Sequence, residues 1–330
     1  MKSLITVRYA PSLTLALLMS LASCGVPIVP TASPTNTLTF SASTPSPTVV
    51  PSFTSNPALP TDTLTPSPIP PTRTPRPRCA PPLTAEEEQA LVLGLLQDNG
   101  GCRLPCWWGF TPGVTAWYTA DTFFASHGKR VQMHKGSQMT NYGVDFDIPQ
   151  YSLQIYQDYF VADDTIDIIS IRAVPAERNG EIVYGNVQFA ENLEPYLLSQ
   201  MLAVYGQPSQ SFLKTYSSDL PGWLPFSLLL FYPEQGILVE YNGPIGEEGK
   251  RYGPIEEGEM IRICPWRSEI NLWLWSPERA MTIGRVTGDY IDVSDYRSLE
   301  EVTGMSIEQF YQTFSQPDNQ TCLETPADLW

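Results

Sequence analysis

Apolar residues recur at spacings of three and four in "TAEEEQALVLGLLQ", and this spacing predicts a helix with Leu91 and Leu95 on its buried stripe. Thr84 and Glu87 stand at its start in the arrangement of a capping box. The same spacing in "GVTAWYTADTFFASHG" predicts a second helix, ended by Gly128. Alternation takes over in "YSLQIYQ" and "TIDIISIRAV", which read as strands. The stretch "ENLEPYLLSQMLAVYGQPSQSFL" returns to helical spacing, stops at Gly206 and passes into a strand. Four apolar runs follow between glycine and proline turns: "FSLLLFYP", "GILVEYN", "EMIRICP" and "EINLWLWS". They predict an antiparallel meander. "SLEEVTG" and "SIEQFYQTFS" then read as two short helices capped by Ser298 and Ser306.

This order of helices and strands predicts an α+β fold, with antiparallel sheets and helices packed on one face. A helix-glycine-strand step occurs twice, at His127-Gly128 and at Tyr205-Gly206; two similar helix-strand halves divided near 185–190 would give this, and so would chance recurrence in an α+β chain.

The N-terminal residues follow a different pattern. Lys2 and Arg8 precede an apolar run from Leu13 to Ala22 that is too short to span a bilayer as a folded helix, and the segment 1–23 reads as a secretory signal. Leu21-Ala22-Ser23-Cys24-Gly25 resembles the lipobox of bacterial lipoproteins. That resemblance implies that Cys24 carries a diacylglycerol thioether and becomes the mature N-terminus, anchored in the membrane by its acyl chains. From Val26 to Arg78 the chain holds 14 Pro, 12 Thr and 7 Ser in 53 residues, a composition that cannot build a packed core. Residues 24–78 therefore read as a lipidated cysteine and a disordered stalk that spaces a domain from the membrane. Residues 79–330 are the globular ectodomain, with no later stretch of eighteen apolar residues.

Charge narrows the partners. Within 79–330 there are 14 Lys and Arg against 34 Asp and Glu, a net of −20. Such a surface repels phosphate backbones, so no nucleic-acid partner is expected. The clusters "DFD" (Asp145 to Asp147) and "DDTID" (Asp163 to Asp167) lack the alternating ligands and glycine of an EF-hand loop.

The densest unusual chemistry lies in "NGGCRLPCWWGFTPG", residues 99–113. Five cysteines remain after Cys24, and an extracytoplasmic address favours disulfides. The preferred pairing is Cys102 with Cys106 and Cys264 with Cys322, leaving Cys79 over; Cys79 with Cys102 is an open alternative. Three residues separate Cys102 from Cys106 where a thioredoxin-type motif has two. His127 and His134, the only histidines, lack a second cysteine pair at zinc spacing. No metal or cofactor is expected. Trp107 and Trp108 are candidate ligand-contact aromatics, since indole faces stack on sugars, but packing around the disulfide is the favoured reading. The chain lacks Gly-x-Ser-x-Gly, His-Glu-x-x-His and P-loop motifs, so no catalytic residue is assigned.

The element "WWGFTPGVTAWYTADTFFASHG" resembles the opening of lipoprotein domains of the SmpA/OmlA type, over about twenty residues. The whole chain, with lipobox, Thr/Pro stalk, "YPEQGILVEY" and terminal "CLETPADLW", resembles uncharacterised bacterial surface lipoproteins. These resemblances imply an address on the extracytoplasmic face of the cell membrane and supply no site. The function expected is a non-catalytic binding or structural module with an envelope protein or glycan partner. The alternative is a cell-envelope enzyme such as a carboxylate-based glycan hydrolase.

Overall fold

The computed structural model describes residues 81–136, 139–175, 177–178, 181–182, 187–215, 225–244, 258–317 and 319–330. The signal segment, Cys24, the stalk, Cys79 and most of the acidic stretch 247–259 lie outside the described residues. From Cys79 onward the chain forms one compact unit.

Helix α1 (Ala85–Asp98) starts at Thr84, whose hydroxyl accepts from the Glu87 amide at 3.3 Å while the Glu87 carboxylate accepts from the Thr84 amide at 2.8 Å. Helix α2 (Trp117–Ser126) ends just before Gly128, which takes a φ of 67°. Strands β1 (Gln132–Lys135), β2 (Thr140–Ile148), β3 (Leu153–Ala162) and β4 (Thr165–Pro175) form a first antiparallel meander. A short ladder of β5 (Glu177–Arg178) and β6 (Glu181–Ile182) leads towards α3 (Val187–Asn192). The single helix expected next is broken, because Pro195 has no amide hydrogen to continue it. A 3-10 turn, Glu194–Tyr196, separates α3 from α4 (Leu198–Tyr205). Beyond Gly206 run β7 (Gln210–Thr215), β8 (Pro225–Tyr232), β9 (Ile237–Pro244), β10 (Met260–Ile263) and β11 (Glu269–Trp275). The chain closes with α5 (Ile283–Thr287), β12 (Arg297–Ser298), α6 (Leu299–Thr303), α7 (Ile307–Phe314) and β13 (Leu323–Pro326). Ser298 and Ser306 cap α6 and α7 through their side chains.

Nine strands make one antiparallel sheet in the order β1-β2-β3-β4-β11-β9-β8-β7-β12. The fold is therefore α+β, as expected. The order is two four-strand meanders, each beginning at an outer position after a helix and a glycine and each ending at the centre, where β4 pairs with β11. The connection between second and third strand is the same in both. Ile148-Pro149-Gln150-Tyr151-Ser152 and Tyr232-Pro233-Glu234-Gln235-Gly236 each form a 3-10 turn, entered at φ/ψ of −120°/73° and −122°/73° and left through a left-handed residue. The division near 185–190 separates these halves along the chain but not in space, because ladder hydrogen bonds join them through β4 and β11.

One strand departs from the expected meander. "EMIRICP" supplies β10, which pairs with β13 in a separate ladder. Its burial alternates, whereas every residue of β11 is buried. A one-sided strand suits a two-stranded flap and not the centre of a sheet covered on both faces.

The inner face of the sheet carries the main core. Val92 and Leu96 of α1, Ala120 and Phe124 of α2, Met201 and Leu202 of α4, and Phe310 and Phe314 of α7 pack with Ile169, Leu228, Val239 and Leu272 from the strands. The outer face has a smaller cluster confined to the central and second-half strands. There Leu229, Phe231, Leu238, Trp273 and Trp275 lie under Met281, Ile283, Val286 and Ile291, so the short helix α5 and its flanks cover this side. Arg279 pins that cover by an ion pair with Asp167.

Candidate functional site

The cysteine and tryptophan stretch folds into a closed corner. Cys102 and Cys106 are bridged, with Cα atoms 5.9 Å apart. Asn99, the left-handed residue that ends α1 at a φ of 51°, organises the corner with its side chain. Its Nδ2 donates to the Cys106 carbonyl at 2.7 Å and to the Cys102 carbonyl at 3.1 Å, and its Oδ1 accepts from the Trp108 amide at 2.9 Å. Gly100 sits where a Cβ would lie 2.7 Å from the backbone of Trp108 and Gly109, so only glycine fits. Trp107 and Phe110 exchange two backbone hydrogen bonds of 2.8 Å.

Trp107 and Trp108 are 1% and 3% exposed, stacked on each other with centroids 5.4 Å apart. Tyr196 covers Trp107 at 5.3 Å, and Phe146 meets Trp108 edge-on at 5.2 Å. Neither indole presents a face to solvent, so both pack in the core. Cys264 and Cys322 are likewise bridged, fastening β10 to the segment before β13. His127 Nδ1 lies 2.8 Å from the Phe123 carbonyl oxygen, and His134 is exposed on β1, so the two histidines do not share a site with the cysteines. Among the described residues no three Asp, Glu, His or Cys side chains converge to hold a metal.

The acidic clusters separate once the chain folds. Asp145 and Asp147 point outward at alternate positions of β2; Asp163 and Asp164 form the β3–β4 turn at φ of 48° and 60°; Asp167 pairs with Arg279. The outer face of the first meander is where β2 and β3 expose their polar set. Inward positions Val144, Phe146, Ile155 and Tyr159 are buried, while Asp145, Asp147 and Tyr156 on the other side are exposed. Register aligns Asp145 with Tyr156, Tyr156 with Arg172, Arg172 with Asn271 and Asn271 with Glu240, a polar row across five strands. The Tyr156 hydroxyl donates to Gln154 Oε1 at 3.1 Å. Burial, together with the like charge of Asp158, pushes the Asp145 carboxyl above the usual carboxylate range, against an opposing pull from Lys129.

At its inner end the row passes beneath the cover. Glu240 is 3% exposed and accepts from Ser227 Oγ at 2.5 Å and Asn271 Nδ2 at 2.8 Å; the Tyr296 hydroxyl lies 3.4 Å from it. Lys214, bound to Asp295 at 2.8 Å, sits over the Tyr296 ring at 5.5 Å. Glu269 faces the same way from β11, with Arg172 3.6 Å away. Its register partner is Asn242, two residues from Glu240, and diagonal neighbours of this kind stand roughly 7–8 Å apart at Cα. Sequence reasoning missed Asn99, Glu240 and Tyr156. Asn99 carried a legible signal, an Asn-Gly step after a helical run; Glu240 carried none, because its partners are 13 and 31 residues away.

No family model, curated protein or solved structure matches the chain.

Proposed function

We propose that the chain is a lipid-anchored binding module on the extracytoplasmic face of the cell membrane, tethered through Cys24 and held away from the bilayer by its Pro/Thr-rich stalk. The observation that carries this reading is the contrast between the two halves of the sheet. On the outer face the second meander is sealed by α5 and its flanks, while the first leaves Asp145, Asp147, Tyr156 and Arg172 exposed. An exposed aromatic among carboxylate, amide and guanidinium groups offers stacking and hydrogen bonding to an envelope glycan or protein. The test is capture from envelope fractions and glycans by the wild type and by Tyr156→Ala/Arg172→Ala. Capture lost in the variant, with the fold intact, supports the reading; equal capture by both removes the face from it. Anchoring is tested by Cys24→Ala, for which unchanged membrane retention after detergent-free fractionation contradicts a lipid anchor.

A second reading, a carboxylate-based glycan hydrolase, requires two carboxyls facing a substrate, and Glu240 and Glu269, the acidic pair on this face, are buried at 3% and 7% exposure. Release of reducing sugar by the wild type, abolished in both Glu240→Gln and Glu269→Gln, would establish it.

A further inference from the structure

Each edge of the large sheet carries a short outer strand that covers only part of its neighbour. At one edge, β1 is four residues long and bears the exposed His134 and Lys135, with the exposed Arg130 just ahead of it. Short length and basic side chains are how natural sheets keep an edge from pairing with another chain. At the other edge, β12 covers β7 over two residues only: Arg297 pairs with Leu213 and Ser298 with Phe212. The chain then turns away into α6, and among the described residues no strand continues along β7 at Gln210 and Ser211. Beside this uncovered length lies a groove of about 290 Å3, lined by Gln210, Ser211, Phe212, Leu299, Glu300 and Ile307.

Ser211 marks the groove as more than a surface irregularity. The residue is 6% exposed, and its Oγ is buried without a hydrogen-bond partner among the described residues. An unmade hydrogen bond at a buried hydroxyl costs stability, which alanine at the same position would avoid. A groove that holds an unused hydroxyl beside an unpaired strand edge has the requirements for strand addition: main-chain groups for the ladder, a polar contact for register, and apolar walls from Leu299 and Ile307 for alternate side chains.

We propose that this end of β7 is a second binding site, one that takes an extended, basic polypeptide segment as an added strand continuing the line of β12. The site is distinct from the outer face of the first meander. β12 itself is the precedent, since the chain already lays two residues of strand on this edge. Charge selects a basic occupant: Glu300 is exposed at the groove, Glu234 holds Ser209 beside it at 3.1 Å, and the ectodomain carries a net of −20. The same net charge opposes a second copy of this chain as the occupant.

The probe is a blocked decapeptide of alternating lysine and valine, labelled for fluorescence anisotropy and titrated with the full-length protein. A backbone N-methylated version keeps its charge but loses its ladder donors. Expected results are saturable binding of the first peptide, at least tenfold weaker binding of the second, and slowed amide exchange confined to residues 209–212 and 298–300. Ser211→Ala is expected to melt no lower than the wild type while binding about three- to tenfold more weakly, the worth of one hydrogen bond. Glu300→Arg is expected to weaken binding and flatten its salt dependence. Equal binding of the two peptides, protection elsewhere in the sheet, unchanged affinity in Ser211→Ala, or absence of binding would each overturn the proposal. So would dimerisation of the protein alone with protection at 209–212, which would assign the edge to a second copy. Failure here leaves the outer-face reading standing, because that rests on Tyr156 and Arg172 and is read by capture from the envelope.

Discussion

Replacing Asn99 by alanine strikes the corner at its one side chain with three bonds. The Cys106 carbonyl and the Trp108 amide are buried where they meet Asn99, so truncation leaves an acceptor and a donor without partners. Each such group costs about 1–3 kcal/mol. Alanine must also hold a left-handed φ near 51°, at a cost of about 1 kcal/mol. The expected loss is therefore roughly 3–7 kcal/mol, for a domain of this size a fall in Tm on the order of 10 °C. Urea unfolding of the oxidised protein measures the first quantity and calorimetry the second. Asn99→Gly separates the terms, since it relieves the backbone and keeps the bond loss; it should recover about 1 kcal/mol relative to alanine. A loss below about 1 kcal/mol in Asn99→Ala would refute the assignment of the corner to this side chain.

Asp145 has a carboxyl pKa raised in the folded state, so its ionised form opposes folding once the pH exceeds the carboxylate range. Asp145→Asn should raise Tm near neutral pH, with a gain that fades as both states protonate at about pH 3; a pH-independent change would contradict this. The paired turns make a matched experiment. A Cβ on Gly236 would lie 2.1 Å from the Trp275 carbonyl oxygen at a φ of 69°, so Gly236→Ala should cost more than about 2 kcal/mol. Ser152→Gly, at the equivalent place with a φ of 48°, should stay within about 1 kcal/mol of wild type in the same urea assay. Removing both cysteines of the 264–322 bridge should cost about 4 kcal/mol and of the 102–106 bridge about 2 kcal/mol, from the loops they close in the unfolded chain. The reverse order would show that native packing outweighs loop entropy.

Local signals were legible where cause and effect lie within a few residues. Thr84 with Glu87, Ser306 and Gly128 act on their own turn of chain, and the structure has each in place. The alternation of "YSLQIYQ" and the apolar runs "FSLLLFYP" and "EINLWLWS" marked strands, and the structure buries the last two on both faces, as unbroken apolar runs require. Both bridges are those of the pairing preferred from the sequence, beside which Cys79 with Cys102 had stood open.

What the chain could not disclose by itself was adjacency. Whether "EMIRICP" joined the meander depended on the tail, which arrives some sixty residues later to pair with it. The two tryptophans read as core or, less favoured, as ligand platform, and it is Tyr196 and Phe146, from distant elements, that cover them. The outer-face row runs through β2, β3 and β4, consecutive in the chain, and on to β11 and β9, which join them only in space, and Glu240 draws its donors from β8 and β11. Secondary structure is set by short-range propensity and period, which a sequence displays. Which face stays open, and which polar groups meet on it, is set by strand order, and strand order is decided only when the whole sheet closes.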